Sequence, residues 1–286
     1  MSRPVIIEKQ SGEKEHFDPQ KLRDSLQKAG ASKALITKVE AALQRYLADG
    51  VTTSEIYRRA FGLLRKFQRS TAARYSLKKA IMELGPSGYP FEHFVGQLLK
   101  HLGYEIEVGQ TIAGQCIKHE VDVVAHNEHQ QFMVECKYYN SQGKYCNVKV
   151  PLYIHSRFTD IEKRWKSTPG LAKKSFHGWV FTNTKFTSDA MEYGRCVGLR
   201  MVSWDYPQHE SLKDMIHKTG LFPITVLTLL NRKQRQQLLE KDIVLCRQLY
   251  ARSGLLDQFD LSSSKKRRIL EEISELIDPD ALTAEQ

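Results

Sequence analysis

The sequence predicts an α/β protein in three parts: a β-hairpin on a small helical bundle, a central α/β segment, and a helical C-terminal part. Three observations predict it. Gly85 to Pro90 (GPSGYP) breaks one helical pattern, and another opens at Phe91. After that break, one amphipathic stretch is followed by three strand-like runs separated by polar turns. Beyond Pro207 the strand signal disappears and helix-like text continues. The expected divisions are residues 1–86, 87–207 and 208–286.

At 41% hydrophobic and 27% charged over 286 residues, the composition is globular rather than disordered or fibrous. No run approaches the roughly 18 apolar residues of a membrane span. The opening MSRPVIIEKQSGEKE puts charges where a secretory signal needs an apolar core. The expectation is a cytoplasmic protein. Its five cysteines form no CxxC pair, which points to reduced thiols rather than a zinc site.

The formal charge of +10 favours a polyanionic partner. Residues 1–85 hold 17 basic against 9 acidic side chains, 86–210 hold 14 against 13, and 211–286 hold 12 against 11. The excess is therefore N-terminal, and it points to a phosphate-bearing ligand or a DNA-facing surface there.

In the first part, Val5 to Ile7 and His16-Phe17 flank a polar turn at Ser11-Gly12 and read as a hairpin. Asp18-Pro19 is a cap followed by proline at the first helical position. Leu22, Leu26 and Ala29 mark one helix; Leu35, Val39, Ala42, Leu43 and Tyr46 a second. Ile56, Ala60, Leu63, Leu64 and Phe67 mark a third, and Ala73, Leu77, Ala80, Ile81 and Leu84 a fourth. The series Lys9-x-x-Gly12, Glu15, Phe17-Asp18-x-x-Lys21-Leu22, Thr53-Ser54-Glu55 and Ala73-Arg74-Tyr75-Ser76-Leu77 resembles the ATP-cone domain of ribonucleotide reductases and their repressor. The resemblance implies ATP or dATP bound for regulation through Lys9, Gly12, Glu15, Lys21 and Thr53. Gln10 departs from the family, which usually carries Arg there.

In the central part, Phe91, Phe94, Val95, Leu98, Leu99 and Leu102 form one helical face that Gly103 ends. Strands follow over residues 104–112, 117–125 and 131–139. Alternation puts Glu135 and Lys137 on one face, with Val134 and Cys136 on the other. If the last two strands are antiparallel neighbours, Asp122 approaches Glu135. Two carboxylates and a backbone carbonyl are the hard oxygen donors that suit Mg²⁺ or Mn²⁺. The plain alternative is an internal salt bridge of Lys137 with Glu135 or Asp122.

This order of helix, strand, Asp122 and Glu135-x-Lys137, with Val180-Phe181-Thr182 later, resembles the PD-(D/E)xK nucleases, most closely the Mrr-like restriction endonucleases. The resemblance implies a restriction-endonuclease-like α/β fold with a mixed sheet and a metal-dependent DNA endonuclease. Asp122, Glu135 and the Cys136 carbonyl are then the metal ligands, Lys137 serves the water, and Glu92 supports the metal or the lysine. Arg157 and Lys185 are candidate DNA contacts, with His155 a weaker one; His119 reads as a structural neighbour, and Tyr138-Tyr139 as packing residues.

The final part is helical. Thr219-Gly220-Leu221 faintly resembles a helix-hairpin-helix turn, Ser262 to Ser264 cap a last helix with Arg267–Glu271 and Arg268–Glu272 pairs, and residues 278–286 are expected to fray. The combined expectation is a bacterial defence or DNA-processing endonuclease, likewise homo-oligomeric, gated by nucleotide, with DNA and nucleotide but no membrane as partners. Two alternatives stay open: a nucleotide-sensing DNA-binding regulator whose nuclease fold does not cleave, and a structure-selective nuclease.

Overall fold

The computed structural model describes residues 5–9, 12–141, 143–169 and 173–277. Gln10 and the expected frayed end at 278–286 lie outside these. The chain packs as two compact units, and the residues beyond Pro207 are shared between them. The first unit gathers residues 1–77, 226–231 and 256–286; the second gathers 78–225 and 232–255.

In the first unit, β1 (Ile6–Glu8) and β2 (Lys14–His16) pair antiparallel with Ile7 opposite Glu15. Gly12 takes φ +84° in the connecting turn, a conformation that costs glycine least. Asp18 caps α1 (Pro19–Lys28) by accepting from the Gln20 N–H, with Pro19 at the first position. Then come α2 (Lys33–Gln44), α3 (Thr53–Phe67) and α4 (Arg69–Tyr75). Leu26, Val39, Leu43, Ala60 and Leu64 are fully or almost fully buried between them. Phe67, expected on the buried face, is instead 50% exposed because α3 ends there, with Lys38 over its ring. The expected fourth helix divides at Ser76 into α4 and α5 (Leu77–Ile81).

The second unit opens with α6 (Tyr89–His101), followed by β3 (Glu105–Ala113), β4 (Lys118–His126) and β5 (Gln130–Lys137). Then follow β6 (Tyr145–Cys146), α7 (Lys149–Ser167), β7 (Ser175–Thr182), β8 (Lys185–Phe186), α8 (Ser188–Cys196) and β9 (Arg200–Val202). The five-stranded sheet runs β3-β4-β5-β7-β9, antiparallel across its first three strands and parallel from β5 onward. It is the expected mixed sheet. The parallel step from β5 to β7 needs a crossover, and α7 supplies it. Met133, Val124 and Val180 share a core with Ile154 and Phe158 of α7. Gly178 makes that packing close: a Cβ there would lie 2.7 Å from the Phe158 ring.

Helices α9 (Leu212–Thr219), α10 (Arg232–Leu239) and α11 (Cys246–Ala251) complete the second unit, and α12 (Ser263–Leu276) packs on α4 in the first. Gly220 ends α9 at φ +66°. Arg267 pairs with Glu271 as expected, but Glu272 does not serve Arg268. It lies on the buried stripe of α12 with Ile269 and Ile273, and accepts from the Thr228 N–H at 2.9 Å. Among the described residues no helix is long and apolar enough to cross a membrane.

Candidate functional site

The register decides the geometry of the nuclease-like cluster. Val123 pairs with Val134 across the antiparallel strands β4 and β5, and the ladder ends at that pair. Beyond that point Asp122 turns its Oδ2 to the Cys136 N–H at 2.7 Å, so a carboxylate replaces a ladder acceptor. Glu135, one strand over, is 3% exposed. Lys137, two residues along on the same face, places Nζ 2.5 Å from Glu135 Oε1. Asp122, Glu135 and Lys137 thus converge as expected, and the internal Lys137–Glu135 pair is part of the arrangement.

Sequence reasoning missed the second partner of Glu135. Arg157 of α7, nominated as a DNA contact, points inward: Nη1 donates to Glu135 Oε2 at 2.9 Å and Nη2 to the Glu120 carbonyl. Its side chain is only 13% exposed. The signal was present, because Arg157 stands next to Phe158 and three residues after Ile154, both on the buried stripe of α7. One turn further on, Asp160 accepts from the Cys116 N–H at 2.9 Å and meets His119 Nε2 at 2.8 Å. This clamps the β3–β4 turn to α7, and His119 is a structural neighbour, as expected. Gly114 leaves room for it, since a Cβ there would collide with the Asp160 carboxylate.

Carboxylate crowding sets the electrostatics. Burial, then Asp122, Glu135 and Glu120, push the Glu92 carboxyl up to about 7. Burial and Glu135 push Asp122 up to about 6, against the Cys136 N–H and Lys137. For Lys137, burial lowers the pKa but the adjacent Glu135 and Asp122 outweigh it, so the net shift is upward. Glu92 therefore stands within electrostatic reach of the two strand carboxylates.

Asp122 and Glu135 are hard oxygen donors of the kind a divalent cation takes, though both Glu135 oxygens here meet cations, Lys137 and Arg157. Among the described residues no group of three or more His, Cys, Asp or Glu side chains is gathered so as to hold a metal ion by itself. Two carboxylates and a carbonyl, completed by water and substrate phosphate, are how Mg²⁺ is commonly held.

The remaining nominated residues are accounted for locally. Lys185 Nζ lies 2.7 Å from Asp205 and is half exposed. His155 Nδ1 meets Tyr193 OH at 2.9 Å, and Tyr138 OH donates to the Met82 carbonyl at 2.7 Å, a packing role as expected.

In the first unit, Lys9 Nζ lies 2.9 Å from Glu15 and 3.0 Å from Glu13, while Lys21 Nζ reaches Glu15 at 3.6 Å. The hairpin thus gathers Lys9, Glu15 and Lys21, with the Gly12 turn beside them. Thr53 is the first residue of α3, but the capping hydroxyl is that of Thr52. Thr52 Oγ1 accepts from the Glu55 N–H, and Glu55 accepts in return from the Thr52 N–H. The three-residue spacing of that reciprocal pair fixes 52 and 55 as its members.

Comparison with known proteins places the chain. Residues 222–277 match the AF1548-like C-terminal family. An uncharacterized protein of Archaeoglobus fulgidus is 32% identical over 184 residues, which span 99% of it and 64% of this chain. The chain belongs to the AF1548-like family. The crystal structure of AF1548, a protein of unknown function, is similar at 31% identity and a TM-score of 0.54, over 98% of that chain and 66% of this one. This AF1548-like protein also matches the ATP cone domain over residues 5–81 and a restriction endonuclease domain over 85–152. The DNA modification-dependent restriction endonuclease AspBHI shares 14% identity at a TM-score of 0.31, over 58% of this chain and 38% of its own, too slight a likeness to add weight. One chain therefore joins a restriction endonuclease-like domain to an ATP-cone domain.

Proposed function

We propose that this AF1548-like protein is a metal-dependent DNA endonuclease regulated by ATP or dATP, acting in DNA restriction and defence. The observation that carries the reading is the meeting of Asp122 with the Glu135–Lys137 pair at the point where β4 and β5 stop pairing. A binding module has no need of such a buried set of charges, which is costly unless paired or metal-bound.

Asp122, Glu135 and the Cys136 carbonyl would hold Mg²⁺ or Mn²⁺, which when bound lowers the pKa of its water and neutralises charge on the scissile phosphate. Lys137 orients the attacking water and stabilises charge developing on the phosphate, held by Glu135 in the right place. Arg157 fixes the Glu135 carboxylate from the other side. Glu92 supports the metal or the lysine. Lys185 is the exposed candidate for a DNA phosphate.

The functional division is that of the sequence: residues 1–86 sense nucleotide through Lys9, Gly12, Glu15, Lys21 and Thr53, 87–207 cleave, and 208–286 contact DNA. Nucleotide regulates by favouring one oligomeric state, which requires different affinities for the two states. The protein works in the cytoplasm.

The test is cleavage of plasmid and modified phage DNA in Mg²⁺ or Mn²⁺, with and without ATP and dATP, for wild type, Asp122→Ala and Lys137→Ala. Cutting that both substitutions abolish while DNA binding survives is the expected result. Tight DNA binding without cutting in any condition would replace the nuclease with a DNA-binding regulator. Cutting confined to junctions or flaps would make it a structure-selective nuclease.

A further inference from the structure

The basic excess of the N-terminal segment is not accounted for by the candidate nucleotide site, whose Lys9 and Lys21 are paired with Glu13 and Glu15. Much of it lies on α3 and α4. Residues 53–75 carry Arg58, Arg59, Arg65, Lys66, Arg69 and Arg74 against a single acid, Glu55. Three of these six, Arg65, Lys66 and Arg69, line one cavity of about 350 Å³ with Gly62, Thr228 and Leu229. All belong to the first unit.

The cavity holds a buried guanidinium N–H without a partner. Among the described residues neither Arg65, Lys66 nor Arg69 has an ion pair within 4 Å. The Thr228 hydroxyl is buried beside the Glu272 carboxylate, while the Arg69 Nε is buried with no hydrogen-bond partner. A buried donor left in this way costs free energy that a ligand would recover. The acid on that side, Glu272, is 2% exposed and committed through Oε1 to the Thr228 N–H. Burial raises the Glu272 carboxyl, against the Thr228 hydrogen bonds and the charge of Arg69. The cations still exceed the acids around the cavity by three to one.

We propose that this cavity is a second anion site, which binds a phosphate group through Arg65, Lys66, Arg69 and the Thr228 hydroxyl. It is distinct from the hairpin. Thr53 and Arg65 are twelve residues apart on α3, about 18 Å at the helical rise. Its lining has guanidinium, ammonium and hydroxyl donors but no aromatic ring to stack a base, so it reads phosphate rather than nucleobase. That phosphate belongs either to a DNA backbone or to a free phosphate compound. The inference needs no cleavage activity and stands apart from the nuclease reading.

The test uses the full chain and two probes: pyrophosphate, followed by calorimetry, and a fluorescent 20-base-pair duplex in EDTA, followed by anisotropy over a salt series. The variants are the double substitution Arg65→Ala with Lys66→Ala, the single Thr228→Val, and a charge-matched control, Lys28→Ala with Lys33→Ala. The expected result is a loss of about tenfold or more in pyrophosphate affinity for the double variant. A smaller loss is expected for Thr228→Val, and none for the control. A parallel loss of duplex affinity, with a shallower salt dependence, assigns the site to DNA backbone; unchanged duplex binding assigns it to a free phosphate compound. Pyrophosphate binding equal in wild type and both cavity variants, or lost equally in the control, would overturn the site. Unfolding midpoints of all variants, read by circular dichroism, separate lost binding from lost folding.

Discussion

The molecule twice sets a glutamate between two cations next to a β-strand, and the two arrangements differ in energy. In the second unit Glu135 stands between Lys137 and Arg157 with its side chain 4% exposed. In the first, Glu15 stands between Lys9 and Lys21 with its side chain 26% exposed and Lys21 at 66%. Burial makes the Glu135 set expensive to break, because removing one partner strands the others away from water. Exposure makes the Glu15 set weak, since water and salt screen it. The first suits chemistry that demands fixed geometry. The second suits a binding surface whose lysines must be released to an incoming phosphate.

The comparison breaks most sharply in activity. Under the nuclease reading, Lys137→Ala lowers the cleavage rate by about a hundredfold or more, in line with the loss of a single charge-stabilising donor. Single-turnover cleavage measures it, and a rate within threefold of wild type would remove Lys137 from the chemistry. In stability, Arg157→Met leaves Glu135 with one of its two cations and lowers unfolding free energy by about 3 kcal/mol. Urea denaturation checks this, and a change below about 1 kcal/mol would mean that the cluster is more hydrated than its burial indicates.

Smaller effects follow from the clamp between α7 and the β3–β4 turn. Gly114→Ala forces a methyl group against the Asp160 carboxylate and lowers stability by about 1–3 kcal/mol, which the same denaturation series reads. His119, with the Cys116 and Ile117 N–H groups, holds the Asp160 carboxyl down at about 2. A depressed carboxyl stabilises the fold above its unfolded pKa, near 4, and that contribution fades as pH falls toward 2. Thermal midpoints of wild type and Asp160→Asn should therefore differ at pH 6 and converge toward pH 2. A constant difference over that range would sink the assignment. At the exposed end of the comparison, Lys9→Ala leaves the thermal midpoint unchanged and weakens ATP or dATP binding, which calorimetry detects.

Most of the architecture was legible in the chain. The hairpin, the capped helices, the break at 85–90 and the helix-then-three-strands order all follow from periodicity and turn chemistry, which act over a few residues. So did the shared face of Glu135 and Lys137, because strand alternation has a period of two. The approach of Asp122 to Glu135 was a conditional reading. It depended on strand order, and the antiparallel register of β4 and β5 fulfils the condition.

What the sequence could not decide are matters of distance along the chain. Arg157 reads locally as a cation on a helix face; only the crossover of α7 over the sheet aims it at Glu135, 22 residues away. Glu272 reads as one half of an i,i+4 pair, and only the packing of α12 buries it and gives it to Thr228, 44 residues away. Arg65 and Lys66 stand in the last turn of α3 and Arg69 opens α4, and only the return of residues 226–231 to the first unit makes the three line one cavity. Short-range pattern thus fixes the elements and the face each residue occupies. The partner of a buried charge is set by which distant segment packs on that face, because an isolated strand or helix leaves the charge to water and only tertiary packing removes that choice.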